Sequence, residues 1–414
     1  MYGLLGKTLS HSFSSEIHKV LNPSLSYELY ETNDIESFIR NVAFEGLNVT
    51  NPYKKDMLSL LDDLDESSAK TGVVNTVKKE GHQLKGFNTD YLALKTLMNL
   101  SFQNRMNQSV GILGNGATMR SVKQALRDLN YQNITVYARH PDPGEHPLSE
   151  LSDRHEILIN ATPVGMFPHN HDTMAEEIQN FQHLDIAMDL IYNPLKTNFL
   201  LNAQSAGAKV FNGLPLLFLQ AAYAQNIWLD RPIPKDWQSQ VDAFESELKN
   251  IVLIGLPFSG KSHYGYLLER HMNKKYIDID RLIEAKANTK IETIFQTMGE
   301  EKFRGFEHDI TIKKAKQHRQ IIATGGGIVQ NKTAMQSLKQ NGLIVWLDVA
   351  NNLVEKKKLS NRPLIKTLAD WKALKKRRQE AYQDYADIII EKDTEDEAII
   401  LERLKEVLHG YFSH

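Results

Sequence analysis

The stretch that most constrains this chain is Asn250-Ile-Val-Leu-Ile-Gly-Leu-Pro-Phe-Ser-Gly-Lys-Ser262. An apolar strand runs directly into Gly-x-x-x-x-Gly-Lys-Ser, a loop whose backbone N–H groups cradle phosphates when a helix follows. In that reading Gly255, Ser259, Gly260, Lys261 and Ser262 hold ATP or GTP, with Lys261 reaching the β- and γ-phosphates and Ser262 ligating Mg2+. The alternative is a glycine turn without a ligand. The motif begins only after residue 249 of 414, so the preceding chain is long enough to have closed a fold of its own. Pro232, Pro234 and a polar, helix-like stretch from Asp236 to Lys249 mark the boundary. No long linker intervenes, which predicts close coupling of the two halves.

Bulk properties exclude several classes. A formal charge of −2 argues against a nucleic-acid or anionic-membrane partner. No apolar run is long enough to span a bilayer, and the N-terminus lacks a signal-peptide layout. The absence of cysteine removes disulfides, thiol catalysis and thiolate metal sites. A cytoplasmic enzyme acting on small molecules is expected. The sequence does not distinguish a monomer from a homodimer.

Residues 1–98 alternate short apolar runs with helical periodicity, the signature of an α/β layer. Tyr2–Gly6 and Gly46–Thr50 read as strands and Ser14–Leu21 as a helix, with Pro52 entering the next helix at its first turn. Three polar clusters fall at strand ends: Ser10-His-Ser-Phe-Ser14, Asn48-Val-Thr-Asn-Pro-Tyr-Lys54 and Gly86-Phe-Asn-Thr-Asp90. Read locally, Ser14 and Thr50 are helix caps and Asn88 and Asp90 are turn or cap residues. Read together, Lys54 and Asp90 form a pair in which an ammonium trades a proton with a substrate oxygen while a carboxylate fixes its position. The surrounding hydroxyls and amides suit a small polyhydroxy acid.

Val110-Gly-Ile-Leu-Gly-Asn-Gly-Ala-Thr118 follows, a strand ending in glycines ahead of a helix from Ala117 to Leu129 and a strand at Ile134–Ala138. This is a βαβ unit with a pyrophosphate site at its first turn. The second strand ends in Ala138-Arg-His140, where an NAD site would place a carboxylate. Arg139 either meets a 2′-phosphate, favouring NADP, or is a solvated residue at a strand end. Further strands are expected at Glu156–Met166, Asp185–Tyr192 and Gly207–Phe211. Gln220 stands out in the apolar helix after Asn212-Gly-Leu, either satisfied by backbone or facing a ligand.

Ser-His-Ser-x-Ser, Asn-Val-Thr-x-Pro-x-Lys, Val74-Asn-Thr76, Asn-Thr-Asp, Asn160-Ala-Thr-Pro, Tyr192-Asn-Pro-Leu and Asn212-Gly-Leu…Gln220-Ala-Ala occur here in order. Over about residues 1–240 the chain resembles shikimate dehydrogenases. The resemblance implies reduction of 3-dehydroshikimate with NADPH, with Lys54 and Asp90 as the catalytic pair. It implies that Ser12, Ser14, Thr50, Asn75 and Gln220 bind substrate. Gly114, Gly116, Ala117 and Arg139 would hold the cofactor, with Tyr192 and Gly213 at its nicotinamide end. The chain departs from the family's Gly-x-Gly-Gly-Ala turn, which is Gly114-Asn-Gly-Ala-Thr118. It also departs from the family's Asn-Arg-Thr, which is Ala138-Arg-His140.

After the phosphate loop, Tyr276-Ile-Asp-Ile-Asp280 reads as a strand end with both aspartates on one side. Gly299-Glu-Glu-Lys-Phe-Arg304 lies on or near a helix, and Ile321-Ile-Ala-Thr-Gly-Gly-Gly327 is a strand emptying into glycines that admit a ligand close to backbone. Arg362-Pro-Leu and Arg378 complete a set of cations. Taken alone, Arg304 and Arg378 are surface helix charges and Lys375–Arg378 a solvated face. The Glu397–Leu408 helix reads as core packing. The GTPase signatures Asp-x-x-Gly after a strand and Asn-Lys-x-Asp are missing. The ordered set resembles shikimate kinases over about residues 250–412. This implies that Asp280, Arg304, Gly326, Gly327 and Arg378 bind shikimate, with Asp280 also acting on the attacking hydroxyl. Asp278 would hold Mg2+ through water, and Arg362 would fold over the nucleotide from a short lid.

The two resemblances imply one bifunctional α/β enzyme. Residues 1–98 with about 214–245 form a substrate-binding domain, 99–213 a Rossmann NADP domain, and 249–414 a P-loop kinase domain with a parallel sheet. The rival readings are a dehydrogenase acting on quinate, or a chain in which one half is silent and regulatory. Fusion by itself does not establish channelling, and free diffusion of the shared metabolite is the default expectation.

Overall fold

The computed structural model describes residues 1–9, 12–174, 176–355, 365 and 367–412. The chain divides into two units, one of Met1–Asn193 with Thr197–Val241, the other of Pro194–Lys196 with Asp242–His414. Among the described residues no helix is long and apolar enough to cross a membrane.

The first unit holds two sheets. One contains β1 (Tyr2–Gly6), β2 (Tyr27–Glu31), β3 (Gly46–Val49), β4 (Asp63–Leu64), β5 (Thr76–Glu80) and β6 (Gln83–Phe87), in the order β2-β1-β3-β5-β6-β4. Its first three strands run parallel, and the β5–β6 hairpin packs antiparallel onto β3. That hairpin returns the chain so that Asn75, just before β5, bonds by backbone to both Val49 and Phe87. The second sheet contains β7 (Val110–Leu113), β8 (Ile134–Ala138), β9 (His146–Pro147), β10 (Ile157–Asn160), β11 (Ile186–Asp189) and β12 (Lys209–Phe211). It is wholly parallel in the order β12-β11-β10-β7-β8-β9. Its β7, β10 and β11 are buried at every residue, which is why they read as unbroken apolar runs rather than alternating ones.

The second unit is built on β13 (Asn250–Ile254), β14 (Lys275–Asp278), β15 (Gln320–Ala323), β16 (Gly342–Val349) and β17 (Ile388–Lys392), all parallel, in the order β14-β15-β13-β16-β17. β13 is central and fully buried, so the loop after it opens at the carboxyl edge where α/β sheets bind ligands. Ile400, Leu404 and Leu408 of the Glu397–Phe412 helix join the core on one face of the sheet, as the sequence predicts.

Three expectations fail locally. Pro52 does not open an α-helix: residues 51–55 are turns, followed by a 3-10 helix at Asp56–Leu60. Backbone bonds Tyr53 to Thr50 and Asp62 to Leu84 pin both ends of this short connection, so it closes with the tighter turn. Ser14 does not cap its helix; Phe13 occupies the N-cap without a side-chain bond. Asp278 and Asp280 do not share a strand face. The strand ends at Asp278, whose carboxylate caps the Ile279–Ala287 helix by accepting from Arg281 N, and Asp280 already lies in the first helical turn.

Candidate functional sites

In the first unit a cleft of about 510 Å3 lies at strand ends contributed by both sheets. Lys54, carried by the turns after β3, places its ammonium 2.5 Å from the Asp90 carboxylate, and both side chains are largely buried. Asp90 occupies the first turn of the Thr89–Ser101 helix, which Asn88 caps by accepting from Tyr91 N. The pair is thus fixed from two elements by ordinary turn and cap chemistry.

Ser12, Ser14, Thr50, Asn75, Gln220, Tyr192 and Gly213 line the same cleft. Ser12 Oγ donates to Ser14 Oγ at 2.9 Å. Gln220 resolves the alternative left by the sequence in favour of both readings: its Nε2 donates to Leu217 O at 2.9 Å, and the residue lines the cleft. Burial pushes the Tyr192 hydroxyl above its ordinary value. Gly213 opens the Leu214–Leu229 helix where a Cβ would fall 2.2 Å from Leu190 O. Ser10 and His11 lie outside the described residues. Thr118, Thr162, Pro163 and Met166 also line the cleft; the sequence motifs contained the first three without assigning them a role, and Met166 was not singled out.

The glycine turn stands apart from that lining. Gly114 has φ +100°, and a Cβ there would strike Thr162 Cγ2 at 2.4 Å, so the turn demands glycine. Gly116 is the N-cap of the Ala117–Asp128 helix, with no side-chain cap and open space where a Cβ would be. A pyrophosphate fits such a terminus, since the first-turn N–H groups are unclaimed by side chains. Arg139 is exposed at the end of β8. Asn115 donates to His140 O and to Glu145, tying the following loop to the glycine turn.

In the second unit Gly255 (φ +145°) and Gly260 (φ +92°) adopt backbone that other residues rarely take. The Lys261–Glu269 helix starts at Gly260 without a side-chain cap. Lys261 Nζ donates to Gly255 O at 2.7 Å and Leu256 O at 3.1 Å, so the ammonium is folded onto the loop's own carbonyls. Ser259 is buried and Ser262 exposed.

Across the carboxyl edge, the glycines after β15 are crowded by charge. A Cβ on Gly327 would meet Arg304 Nη1 at 2.3 Å, and one on Gly325 would meet Glu307 Oε1 at 2.4 Å and Asp280 Oδ1 at 3.2 Å. Glycine here lets two carboxylates and a guanidinium approach the backbone. Arg378 is 3% exposed and donates to Gly326 O at 2.9 Å, an oxygen that Tyr382 also reaches at 2.6 Å. The surface reading of Arg378 is therefore wrong: the basic run splits, with Lys376 and Arg377 exposed and Arg378 inside, because only one in three or four positions of a helix faces the core. Arg304 pairs with Glu307 at 2.7 Å and with Glu300 at 3.1 Å. Burial pushes the Glu307 carboxyl up, against the lowering pull of Arg304. Glu307 Oε1 and Arg378 Nε are buried without hydrogen-bond partners. Sequence reading missed Glu307 and Tyr382. Arg362 lies outside the described residues. Among the described residues no cluster of three or more His, Cys, Asp or Glu side chains has metal-site geometry.

A parallel Rossmann sheet beside a lysine–carboxylate cleft defines an oxidoreductase, and a P-loop facing a buried and a half-buried arginine defines a phosphotransferase. Residues 4–77 match the family model for the shikimate dehydrogenase substrate binding domain, and residues 257–409 match that for shikimate kinase. A shikimate dehydrogenase (NADP(+)) of Clostridium beijerinckii is 35% identical over 271 residues, spanning 60% of this chain and 99% of the relative. One from Methanococcus maripaludis is 31% identical, spanning 55% and 91%. The solved chorismate mutase/shikimate 5-dehydrogenase fusion protein of Clostridium acetobutylicum matches at TM-score 0.53 and 33% identity, over 58% of this chain and 94% of that one. The chain belongs to the shikimate dehydrogenase family and carries a shikimate kinase domain after it.

Proposed function

We propose that the first unit reduces 3-dehydroshikimate to shikimate with NADPH and that the second phosphorylates shikimate with ATP. The observation that carries the first reaction is the Lys54–Asp90 pair within the cleft. NADPH, when bound, would supply the hydride. Lys54 donates a proton to the carbonyl oxygen, and Asp90 holds the ammonium in position. Ser12, Ser14, Thr50, Asn75 and Gln220 hold the carboxylate and hydroxyls. Gly114, Gly116 and Ala117 receive the pyrophosphate, Arg139 the 2′-phosphate, and Tyr192 and Gly213 border the nicotinamide. The names of the relatives support NADP over NAD, as does the lack of a carboxylate at the end of β8.

In the second unit Arg304, Arg378, Gly326 and Gly327 hold shikimate and Asp280 accepts the proton of the attacking hydroxyl. Lys261 leaves the loop carbonyls to meet the nucleotide phosphates, with Gly255, Ser259 and Gly260 around them. Phosphoryl transfer depends on positioning and on neutralising charge, which this concentration of cations supplies. Ser262 and Asp278 would hold Mg2+, whose contribution is to neutralise charge on the phosphates. Residues 1–98 with about 214–245 serve as the substrate lobe, 99–213 as the dinucleotide lobe and 249–414 as the kinase domain.

The test pairs two variants with two assays, shikimate with NADP and shikimate with Mg·ATP. Lys54→Ala is expected to lose about 10²–10⁴-fold in the first and nothing in the second. Lys261→Ala reverses the pattern. A wild type active in only one assay contradicts the proposal and makes the other half a regulator or remnant.

A further inference from the structure

Behind the cleft of the first unit, buried polar side chains form one continuous hydrogen-bonded chain that reaches the lining at Asn48 and Asn75. Gln225 Nε2 lies 3.1 Å from His18 O and 3.1 Å from His18 Nδ1. A backbone carbonyl can only accept, so that atom of Gln225 must be the amide nitrogen, and the second contact makes Nδ1 an acceptor. Gln225 Oε1 is left buried and unpartnered, the cost of satisfying both acceptors with the NH2 group. His18 is therefore a neutral imidazole with its proton on Nε2, in keeping with burial that pulls its pKa down to about 3. Nε2 faces Asn48 Oδ1 at 3.1 Å, and Tyr27 donates to the same oxygen at 2.8 Å. The imidazole stacks on Tyr27 (centroids 3.9 Å), with Trp228 beside both rings (5.8 Å from His18).

With its oxygen committed, Asn48 turns its NH2 to Thr76 Oγ1 at 3.0 Å, and Thr76 approaches Thr89 Oγ1 at 2.8 Å and Asn75 Oδ1 at 3.2 Å. The far end is set independently: the backbone N–H of Thr89, a donor only, lies 2.7 Å from Asn75 Oδ1. Thr89 Oγ1 also donates to that oxygen at 3.1 Å. The His18 end therefore fixes the Asn48 amide and the Thr89 end the Asn75 amide, and the Thr76 hydroxyl, accepting from Asn48 and donating to Asn75, joins the two with one polarity.

We infer that this chain, anchored at Gln225 and His18, locks the Asn75 amide with its oxygen inward, so that the cleft presents Asn75 NH2 as a fixed donor to a substrate oxygen. The inference rests on the proposed dehydrogenase reading of the cleft. His18, Gln225 and Thr76 are positioning residues in it. They lie outside the cleft lining, whereas Asn75 lines it. A donor fixed before binding loses less entropy on meeting the substrate and rejects a ligand that offers a donor at that point.

The test is a double-mutant cycle on the full chain. His18→Phe keeps a stacked ring and removes both ring nitrogens; Gln225→Met is the milder second variant should the first fold poorly. Each is expected to raise KM for shikimate about ten-fold with kcat changed far less, and to leave kinase turnover unaltered. Asn75→Ala is expected to lose more, and Asn75→Ala combined with either variant no more than Asn75→Ala alone. Additive losses, or equal losses in kcat and KM, overturn the inference. Independently, ¹⁵N NMR of the histidine ring reads the tautomer: Nε2-protonated from pH 5 to 8 is expected, and a protonated Nδ1 overturns the chain's polarity. Should the wild type not oxidise shikimate at all, the dehydrogenase reading fails, and with it the substrate donor; the tautomer then decides the hydrogen-bond chain alone.

Discussion

At the ends of β13 and β15 a lysine, two arginines and two carboxylates crowd onto glycine backbone, whereas at the ends of β3 and β6 a single ion pair stands among serine, threonine and asparagine side chains. The difference follows from what each of the proposed reactions moves. Hydride and proton transfer to a ketone leaves little net charge to stabilise, so one ammonium with a positioned partner suffices and neutral donors do the sorting. Moving a phosphoryl group between two anionic molecules requires cations at many points. Glycines 325–327 serve that density, because a Cβ at 325 or 327 would displace the charged groups now packed there.

The largest effect that would sharpen this contrast is expected from Arg378→Ala. Removing a guanidinium that is 3% exposed and bonded to Gly326 O should raise KM for shikimate in the kinase assay by about 10²-fold, with no change in shikimate oxidation. A loss below three-fold would return Arg378 to a structural role.

Next comes stability in the first unit, where Asp189 at the end of β11 is a fully buried carboxyl. It accepts from Ile191 N, Asn160 Nδ2 and Thr197 Oγ1, yet burial pushes its pKa up to about 7. A carboxyl raised in the folded state contributes stability that is full below its ordinary value near 4 and is lost as pH rises through about 7. Urea midpoints of the wild type should therefore fall between pH 4 and 7, by the equivalent of a few kcal/mol, relative to Asp189→Asn. Parallel midpoints for the two proteins would show that the three donors hold Asp189 ionised.

The smallest effect is expected from Glu307→Gln. The amide keeps the shape but not the charge that orients Arg304, so KM for shikimate in the kinase assay should rise about ten-fold, with ATP affinity unchanged. An effect on ATP alone would place Glu307 with the phosphate loop instead.

How much of this was legible in the sequence depended on the range of the interaction. β13 with its loop, and β7 with its glycine turn, were readable because a fully buried parallel strand and a phosphate-binding turn are written in consecutive residues. Lys54 and Asp90 were readable only as chemistry in search of a partner; the β5–β6 hairpin that brings them together is a tertiary fact. The Asp278–Asp280 reading failed because alternation assumes a strand, and a capping carboxylate ends one. Glu307 escaped notice because three residues after Arg304 it looks like an ordinary helical ion pair, and only burial distinguishes it. Gln225 and His18, 207 residues apart, carry no local signal at all.

The central claim is that one chain performs two successive steps on the same carbon skeleton. Wild-type protein supplied with 3-dehydroshikimate, NADPH and Mg·ATP, with products followed by mass spectrometry, tests it most directly. The account predicts NADPH oxidation followed by accumulation of shikimate 3-phosphate, with shikimate as a transient. A reaction that stops at shikimate, or one that consumes no NADPH, would contradict it.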